Sequence, residues 1–419
     1  MPIHIRPRRI GGAPYLGVTN LDARSCCPSA GFPQQPGPII TAGFLTFLVA
    51  ALLGQEALAD NITERLALGG TLAMATQCQQ VSGAGDENKC GAGAALMPDL
   101  TLNLTDRDQV YLLFDFALGN DLNADSPFAL APWAASLEDD VQNINGSNRS
   151  YLLVATYSHD FQFASDHALQ FTGGILDTGV FLDQNAYASD ENTQFMNVAF
   201  ANSHSSYLPT YNPGGAVEWR YQDWTLSALG LNGGENQAGE SFNYYAAGLA
   251  YRLQTAWGEG NYRLMYFATT PDFTAEPGGG LERGEGVILS LDQELNSDWG
   301  AFLRLVWQGD ALLGDYSARY TGGLSVLGTS WGRTRDNLGI AVGYLQGPER
   351  DSSPGERGPM AALPDEAPLA STWLGEAYYR FVAAEWLALS ADIQYMYDRY
   401  RAGEDVSGWV FGLRATLDY

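Results

Sequence analysis

A polar stretch with spaced aromatic residues, Gly173 to Asn202, has the residue types best suited to binding a solute. It begins with the two-residue alternation of a strand and continues as a run of Asp, Asn, Gln and Glu interrupted by rings such as Phe181 and Tyr187. Carboxylates and amides hydrogen-bond polar solutes, and aromatic faces contact their C–H edges. The pattern favours a loop folded into a pore, where it narrows the passage. An ordinary surface loop is the alternative, because such loops are polar as well.

Charged residues on otherwise apolar strands form the second candidate group. Glu218 and Arg220, for example, alternate with apolar and aromatic neighbours. An arginine that faces acyl chains at the membrane midplane costs roughly 2–4 kcal/mol, so these charges are expected on the inside of a barrel. Two interpretations remain open. These charges hydrate the channel wall and pair with one another or with loop carboxylates, or arginines among them face the loop carboxylates and form a constriction of mixed charge that hydrogen-bonds solute hydroxyls. The candidate constriction and solute-binding residues are Asp177, Phe181, Asp183, Asn185, Tyr187, Asp190, Glu191, Gln194, Asn197, Glu218, Arg220, Arg252, Arg304, Glu376 and Arg380.

Catalytic and metal-binding patterns are weak in this sequence. His159, Asp166 and His167 surround a short turn without a further strong ligand nearby, so a metal site is not predicted. The serines beside His204 lack the glycine elbow of a hydrolase. We therefore expect neither an enzyme nor a cofactor.

The elements that would position these side chains are strands. In the last eleven residues, Trp409, Phe411, Leu413 and further apolar side chains alternate with small or polar ones, including Arg414. A two-residue period with one apolar and one wet face is typical of a strand between lipid and lumen. The same period predicts sixteen strands, at 66–80, 92–105, 109–118, 151–161, 167–175, 214–222, 224–232, 243–254, 261–269, 285–295, 299–308, 318–329, 336–346, 371–382, 386–398 and 406–419.

The predicted connections divide into two classes. Those on one side are short, whereas 119–150, 176–213, 270–284 and 347–370 on the other side are long and rich in Gly, Pro and Asp. This asymmetry is typical of an outer-membrane barrel. The predicted fold is therefore all-β: a transmembrane antiparallel barrel of sixteen strands over residues 60–419, with a long inward-folded loop that constricts the pore.

The N-terminal region, residues 1–59, has the features of a leader with a secretory signal peptide. Arginines precede an apolar run from Ile39 to Leu53, which ends in Ala57-Leu58-Ala59. A basic region, a short apolar core and small residues at the cleavage point predict export with removal of the leader after Ala59. In an exported protein, Cys78 and Cys90 favour a disulfide that closes one loop, with two free thiols as the alternative.

Composition limits the partners. The net charge of −26 and a single lysine argue against nucleic acid, which needs clustered cations. The low charged fraction of 17% together with 48 glycines fits a barrel in which alternate residues face lipid and water. Outer-membrane lipid and lipopolysaccharide are the expected surroundings.

The polar stretch resembles the hallmark segment of the carbohydrate-selective porins (OprB-type) of Gram-negative outer membranes. The matching residues are Asp177, Phe181, Asp183, Asn185, Asp190, Gln194, Phe195, Asn197, Ala199, Phe200 and Asn202, and Ser189 departs from the family's usual asparagine. Further family-like phrases are Asp292–Leu295, Ala301–Arg304, Gly332–Ala341, Glu376–Arg380 and Gln394-Tyr395. The resemblance covers residues 151–419, and residues 60–150 agree only loosely.

The resemblance implies a sixteen-stranded porin that admits glucose and similar small sugars into the periplasm by passive diffusion, as a monomer or a homotrimer. Two alternatives remain open at this point. Lumenal arginines could make the channel prefer anions or small acids, or the barrel could be plugged and structural.

Overall fold

The structure is a computed structural model. It describes residues 65–83, 88–123, 125–201, 208–235, 241–270, 273–274, 281–309, 316–348 and 369–419. The proposed leader, residues 1–59, and Asn202 at the end of the polar stretch lie outside the described residues.

One antiparallel sheet forms the wall of the molecule and closes on itself, because β1 pairs with both β2 and β19. β3 and β4 are two parts of one wall strand, and β11 and β12 form a small separate hairpin. The wall therefore has sixteen strands, which confirms the predicted fold class. The strands are β1 Leu66–Gly83, β2 Cys90–Asn103, β3 Asp108–Phe114, β4 Phe116–Leu118, β5 Leu152–Ala164, β6 His167–Asp177, β7 Thr210–Tyr221, β8 Trp224–Glu235, β9 Ser241–Gln254, β10 Glu259–Thr269, β11 Phe273–Thr274, β12 Leu281–Glu282, β13 Glu285–Glu294, β14 Trp299–Gln308, β15 Ala318–Gly328, β16 Arg333–Gln346, β17 Leu369–Ala384, β18 Leu387–Tyr400 and β19 Val406–Asp418.

Side chains alternate between the two faces of the wall as the sequence period predicts. On β19, Leu413 is 63% exposed whereas the next residue, Arg414, is 2% exposed. On β18, Leu389 is exposed and Gln394 is buried. Apolar side chains thus form the outer surface, and polar side chains point into the lumen, the space that the wall encloses.

The two ends of the barrel differ. At the turn end, connections of two to four residues join neighbouring strands, for example residues 222–223 between β7 and β8. At the loop end, residues 119–151 connect β4 to β5 and residues 178–209 connect β6 to β7. Both long connections include a five-residue helix, Glu138–Gln142 in the first and Thr178–Leu182 in the second. No helix among the described residues is long and apolar enough to cross a membrane.

Most strand boundaries differ by a few residues from the sequence prediction, and two of the differences have a clear local cause. The predicted strand 109–118 is interrupted at Asp115, whose backbone amide donates 2.8 Å to the carbonyl of Tyr151 while the register with β5 shifts. β7 begins at Thr210, four residues before the predicted start at 214. Pro213, Gly214 and Gly215 have turn-like sequence, but they pair with β6, where Gly173 and Gly174 lie opposite and leave room for the two backbones.

A disulfide joins β1 to β2 near the loop end. Cys78 and Cys90 occupy directly paired positions and are bonded to each other. The bond closes the connection between these strands at the point where the ladder ends.

Candidate functional site

The second long connection turns into the lumen and crosses it; we name residues 177–201 the inward segment. Asp177 caps the N-terminus of its helix, and the carboxylate of Asp177 accepts a hydrogen bond of 2.9 Å from the amide of Gly179. Leu182 is buried in an apolar cluster with residues of the wall strands β7 to β10, including Tyr244 and Met265, and Phe181 packs against the same cluster. One side of the barrel therefore holds the start of the inward segment.

Arg304 of β14 holds the next part of the inward segment. Its guanidinium bonds the carboxylate of Asp183 at 3.0 Å and donates to the carbonyl oxygens of Ala188 at 2.8 Å and Phe200 at 3.2 Å. The side chains of Arg304 and Asp183 are completely buried. The segment also contacts Glu376 of β17 and Arg414 of β19, and these strands lie across the barrel from β7 to β10, so the segment bridges the lumen.

Two further wall arginines bind backbone carbonyls of the inward segment. Arg414 of β19 donates to the carbonyl of Glu191 at 2.6 Å and to that of Gln194 at 2.9 Å. Arg319 of β15 donates to the carbonyl of Ala199. The guanidinium groups of these arginines and of Arg304 are thus covered by the segment and separated from the rest of the lumen.

Acidic and amide side chains of the wall bind the segment's backbone amides in a complementary way. The carboxylate of Glu376 on β17 accepts from the amides of Met196 and, at 3.0 Å, Asn197. Gln394 on β18 accepts a bond of 2.9 Å from the side-chain amide of Asn197. These contacts satisfy buried donors that would otherwise be costly to desolvate.

Several polar residues of the segment fold the segment itself. The side-chain oxygen of Gln194 accepts from the amides of Ser189 and Asp190, and the carboxylate of Asp190 accepts from the amide of Asn192 at 2.8 Å. Asn185 donates to Ser290 of β13 at 3.3 Å. The dense Asp, Asn and Gln content therefore supplies caps for an irregular backbone as well as groups for a solute.

The first long connection also enters the lumen. The sequence analysis predicted it as an outer connection and did not identify this path. We name residues 121–137 the second inward loop. Trp133 is fully buried, and its indole N–H donates 3.2 Å to the carbonyl of Glu191. Pro132 accepts from Gln77 of β1 at 3.2 Å and from Gln394 at 2.9 Å. The apolar run from 127 to 135, unusual for a surface loop, is the signal that could have identified this path.

Two cavities lie beside the inward segment. The loop-side cavity, of about 580 Å³, is lined by the segment and by wall residues such as Met97 and Tyr211. The turn-side cavity, of about 270 Å³, extends to the turn between β7 and β8. Val180, Gln184 and Arg263 line both cavities, so these three side chains lie at their junction.

The two cavities carry different charges. The turn-side cavity has mixed charge: Arg220 bonds Glu218 at 3.1 Å and Asp160 at 2.9 Å, and Arg252 bonds Asp223. The loop-side cavity is acidic. Its lining includes Asp115, Asp177, Asp183, Asp190 and Glu191, and among the residues that the structure describes Arg263 is the one basic side chain in the lining.

The structure thus brings many of the candidate residues together. Those that line the loop-side cavity are Asp177, Asp183, Asn185, Asp190 and Glu191, and those that line the turn-side cavity are Phe181, Glu218, Arg220 and Arg252. Those outside both linings are Tyr187, Gln194, Asn197, Arg304, Glu376 and Arg380. The cavity-lining residues Val180, Gln184 and Asp115 were not selected from the sequence. Among the described residues, no group of three or more His, Cys, Asp or Glu could hold a metal ion.

Gly300 of β14 provides a test of how tightly the inward segment is seated. A Cβ atom at this position would lie 2.0 Å from Cζ of Tyr187. The Gly300→Ala variant is expected to push this ring into the lumen, destabilise the packing by about 1–3 kcal/mol and lower the single-channel conductance. Gly375→Ala is the matched control, because its Cβ would meet nothing nearer than 3.7 Å. If the clash is the cause, the Gly300→Ala/Tyr187→Ala double variant regains conductance; a double variant as poor as the single one contradicts the explanation.

A closed barrel of sixteen antiparallel strands whose lumen is crossed by a polar segment defines a porin, a passive channel of the outer membrane. The chain belongs to the OprB family of carbohydrate-selective porins, whose family model matches residues 133–419. This membership confirms the resemblance drawn from the sequence.

The chain is also similar to known proteins. The structure of Pseudomonas putida OprB at high pH has a TM-score of 0.62 at 14% identity, over 90% of this chain and 97% of that one. The outer-membrane channel DcaP of Acinetobacter baumannii has a TM-score of 0.50 at 11% identity, over 84% and 97% of the two chains. At these identities the similarity shows the fold alone. An uncharacterized protein of Aquifex aeolicus is 26% identical over 307 residues, which are 72% of this chain and 81% of the relative.

Proposed function

We propose that this porin lets glucose and similar small sugars diffuse passively into the periplasm. The observation that carries the proposal is the inward segment, which bridges the lumen and leaves cavities of about 580 and 270 Å³ on either side of Val180, Gln184 and Arg263. Cavities of this size suit a small solute. A sugar that passes this junction exchanges hydrogen bonds with water for hydrogen bonds with the lining.

The lining offers the groups that a sugar needs. Asp177, Asn185 and Asp190 supply oxygen acceptors or an amide beside the loop-side cavity, and Glu218 with Arg220 supplies a charged pair in the turn-side cavity. Phe181 adds an aromatic face. Weak binding at several successive positions allows entry as well as release, which selective diffusion requires.

The proposed route to the outer membrane begins with the leader. Residues 1–59 direct export and are removed after Ala59, and the remaining chain inserts among outer-membrane lipid and lipopolysaccharide as a monomer or a homotrimer. The N-terminal sequence of the purified outer-membrane form tests the cleavage point. Chemical cross-linking in detergent distinguishes the monomer from the trimer.

Liposome swelling tests the function directly. Liposomes that contain the purified porin are expected to swell quickly in glucose, more slowly in disaccharides and slowest in sugar acids, and glucose is expected to block the ion current of single channels. Faster uptake of sugar acids or inorganic anions than of glucose would favour the anion-preferring alternative. A barrel that neither conducts ions nor admits sugars would be the plugged structural form.

A further inference from the structure

The wall arginines contribute little to the loop-side cavity. Arg304, Arg319 and Arg414 are buried and bonded to the inward segment from behind. Arg149 does not line the cavity; it donates a hydrogen bond to the carbonyl of Tyr211, which does. Arg263 reaches the cavity, but it is paired with Asp292 at 2.5 Å.

Two acidic side chains of the loop-side cavity have buried oxygen atoms without a hydrogen-bond donor. Both carboxylate oxygens of Asp115, and Oε2 of Glu191, are buried without a donor. Asp115 is 0% exposed and Glu191 is 1% exposed, and both residues line the cavity. Their carboxyl groups and that of Asp177 interact electrostatically with the hydroxyl of Tyr211, which lines the same cavity. A buried carboxyl group without donors costs free energy that a suitable ligand could recover.

We propose that Asp115 and Glu191 form a binding site for the ammonium group of a sugar, so that this porin prefers amino sugars over neutral sugars of the same size. The site deepens the proposed function, on which it rests. A sugar ammonium group supplies three N–H donors and a positive charge, and the oxygens of Asp115 and Glu191 can accept from such donors. A bound ammonium group stabilises the charged form of a neighbouring carboxyl group.

The residue types of the lining favour an organic ammonium group over a metal ion. No group of three or more potential metal ligands is present among the described residues, so a chelating site is absent there. The remaining lining gives a sugar ring both hydrogen-bonding groups, such as Asn185, and apolar surface from Leu113 and Leu153. One end of the ligand would thus be ionic and the rest would contact a mixed surface.

Current block by glucosamine, glucose and N-acetylglucosamine tests the proposal, with the full-length porin in planar bilayers at a pH where the amine is protonated. Glucosamine is expected to half-block at a concentration about tenfold lower than glucose, as a hydrogen bond to a charged group implies. N-acetylglucosamine, which lacks the charge, is expected to resemble glucose. A potassium chloride gradient is expected to give a reversal potential of the sign that indicates cation preference.

Charge-removing variants locate the effect. Asp115→Asn and Glu191→Gln keep the shape of each side chain, and in each variant the half-blocking concentration of glucosamine is expected to become close to that of glucose measured on the same variant. Asp106→Asn, in the exposed turn between β2 and β3, is the matched control. Equal block by glucosamine and glucose, or an advantage that survives in both variants, overturns the ammonium site and leaves sugar diffusion intact. Absence of block and uptake for all three sugars overturns the proposed function itself.

Discussion

Replacement of Arg304 with methionine is expected to detach the inward segment from β14 and to raise the single-channel conductance severalfold. The guanidinium contacts Asp183, Ala188 and Phe200, so one side chain holds three separate points of the segment. Its removal leaves the carboxylate of Asp183 buried without its partner. Breaking a buried ion pair in this way costs about 3–5 kcal/mol, which the segment can avoid by leaving the wall.

The control for this variant is Arg335→Met, at the turn end. Arg335 pairs with Glu385, but both side chains are exposed, at 60% and 81%. An exposed pair contributes little to stability, so conductance should stay at the wild-type value. Conductance in planar bilayers is the measurement, and the electrophoretic shift on heating verifies that each barrel is folded. A folded Arg304→Met barrel with wild-type conductance would show that the segment is held elsewhere.

Truncation of Trp133 to alanine is expected to release the second inward loop. The ring is fully buried against Ala73, Ala75 and Met196 and donates to the carbonyl of Glu191, so it joins the wall, the loop and the inward segment. Loss of a buried tryptophan side chain costs about 3–5 kcal/mol. We expect new cleavage by proteinase K within residues 121–137 and noisier current, while the wall remains folded.

Trp257→Ala is the matched control for this second prediction. Trp257 lies in the turn between β9 and β10 and is 67% exposed, so its truncation leaves no cavity inside the protein. The control variant should resist proteinase K as the wild type does. If Trp133→Ala is equally resistant, the loop is held by its backbone contacts, such as those of Pro132, and not by the ring.

The sequence was sufficient to predict the wall because the two faces of a membrane strand differ strongly. Residues such as Leu413 and Arg414 must occupy opposite faces, and each strand repeats this requirement. The period alone does not place interruptions. The break at Asp115 depends on pairing with β5, and the early start of β7 depends on pairing with residues 175–177 of β6, which are distant in sequence.

The interior was only partly predictable, because partner choice there depends on three-dimensional proximity. The sequence suggested that wall arginines face loop carboxylates, and Arg304 with Asp183 is such a pair. Arg319 and Arg414 instead bind backbone carbonyls. Because every residue has a backbone carbonyl, the sequence does not show which of them an arginine binds. For the same reason the polar stretch could not reveal which of its amides fold the segment and which border a cavity.

Wall side chains that bind the inward segment and wall side chains that line a cavity lie on different parts of the barrel, so the two groups can be altered separately. Along β14 to β19, wall side chains such as Arg304 and Glu376 are hydrogen-bonded to the inward segment. Substitutions there would move the segment and change the width of the pore. Along β7 to β10, Glu218, Arg220 and Arg252 border open space. Substitution of these three charged side chains, which lie outside the apolar cluster that holds Leu182, would change which molecules are admitted and leave the attachment of the inward segment intact.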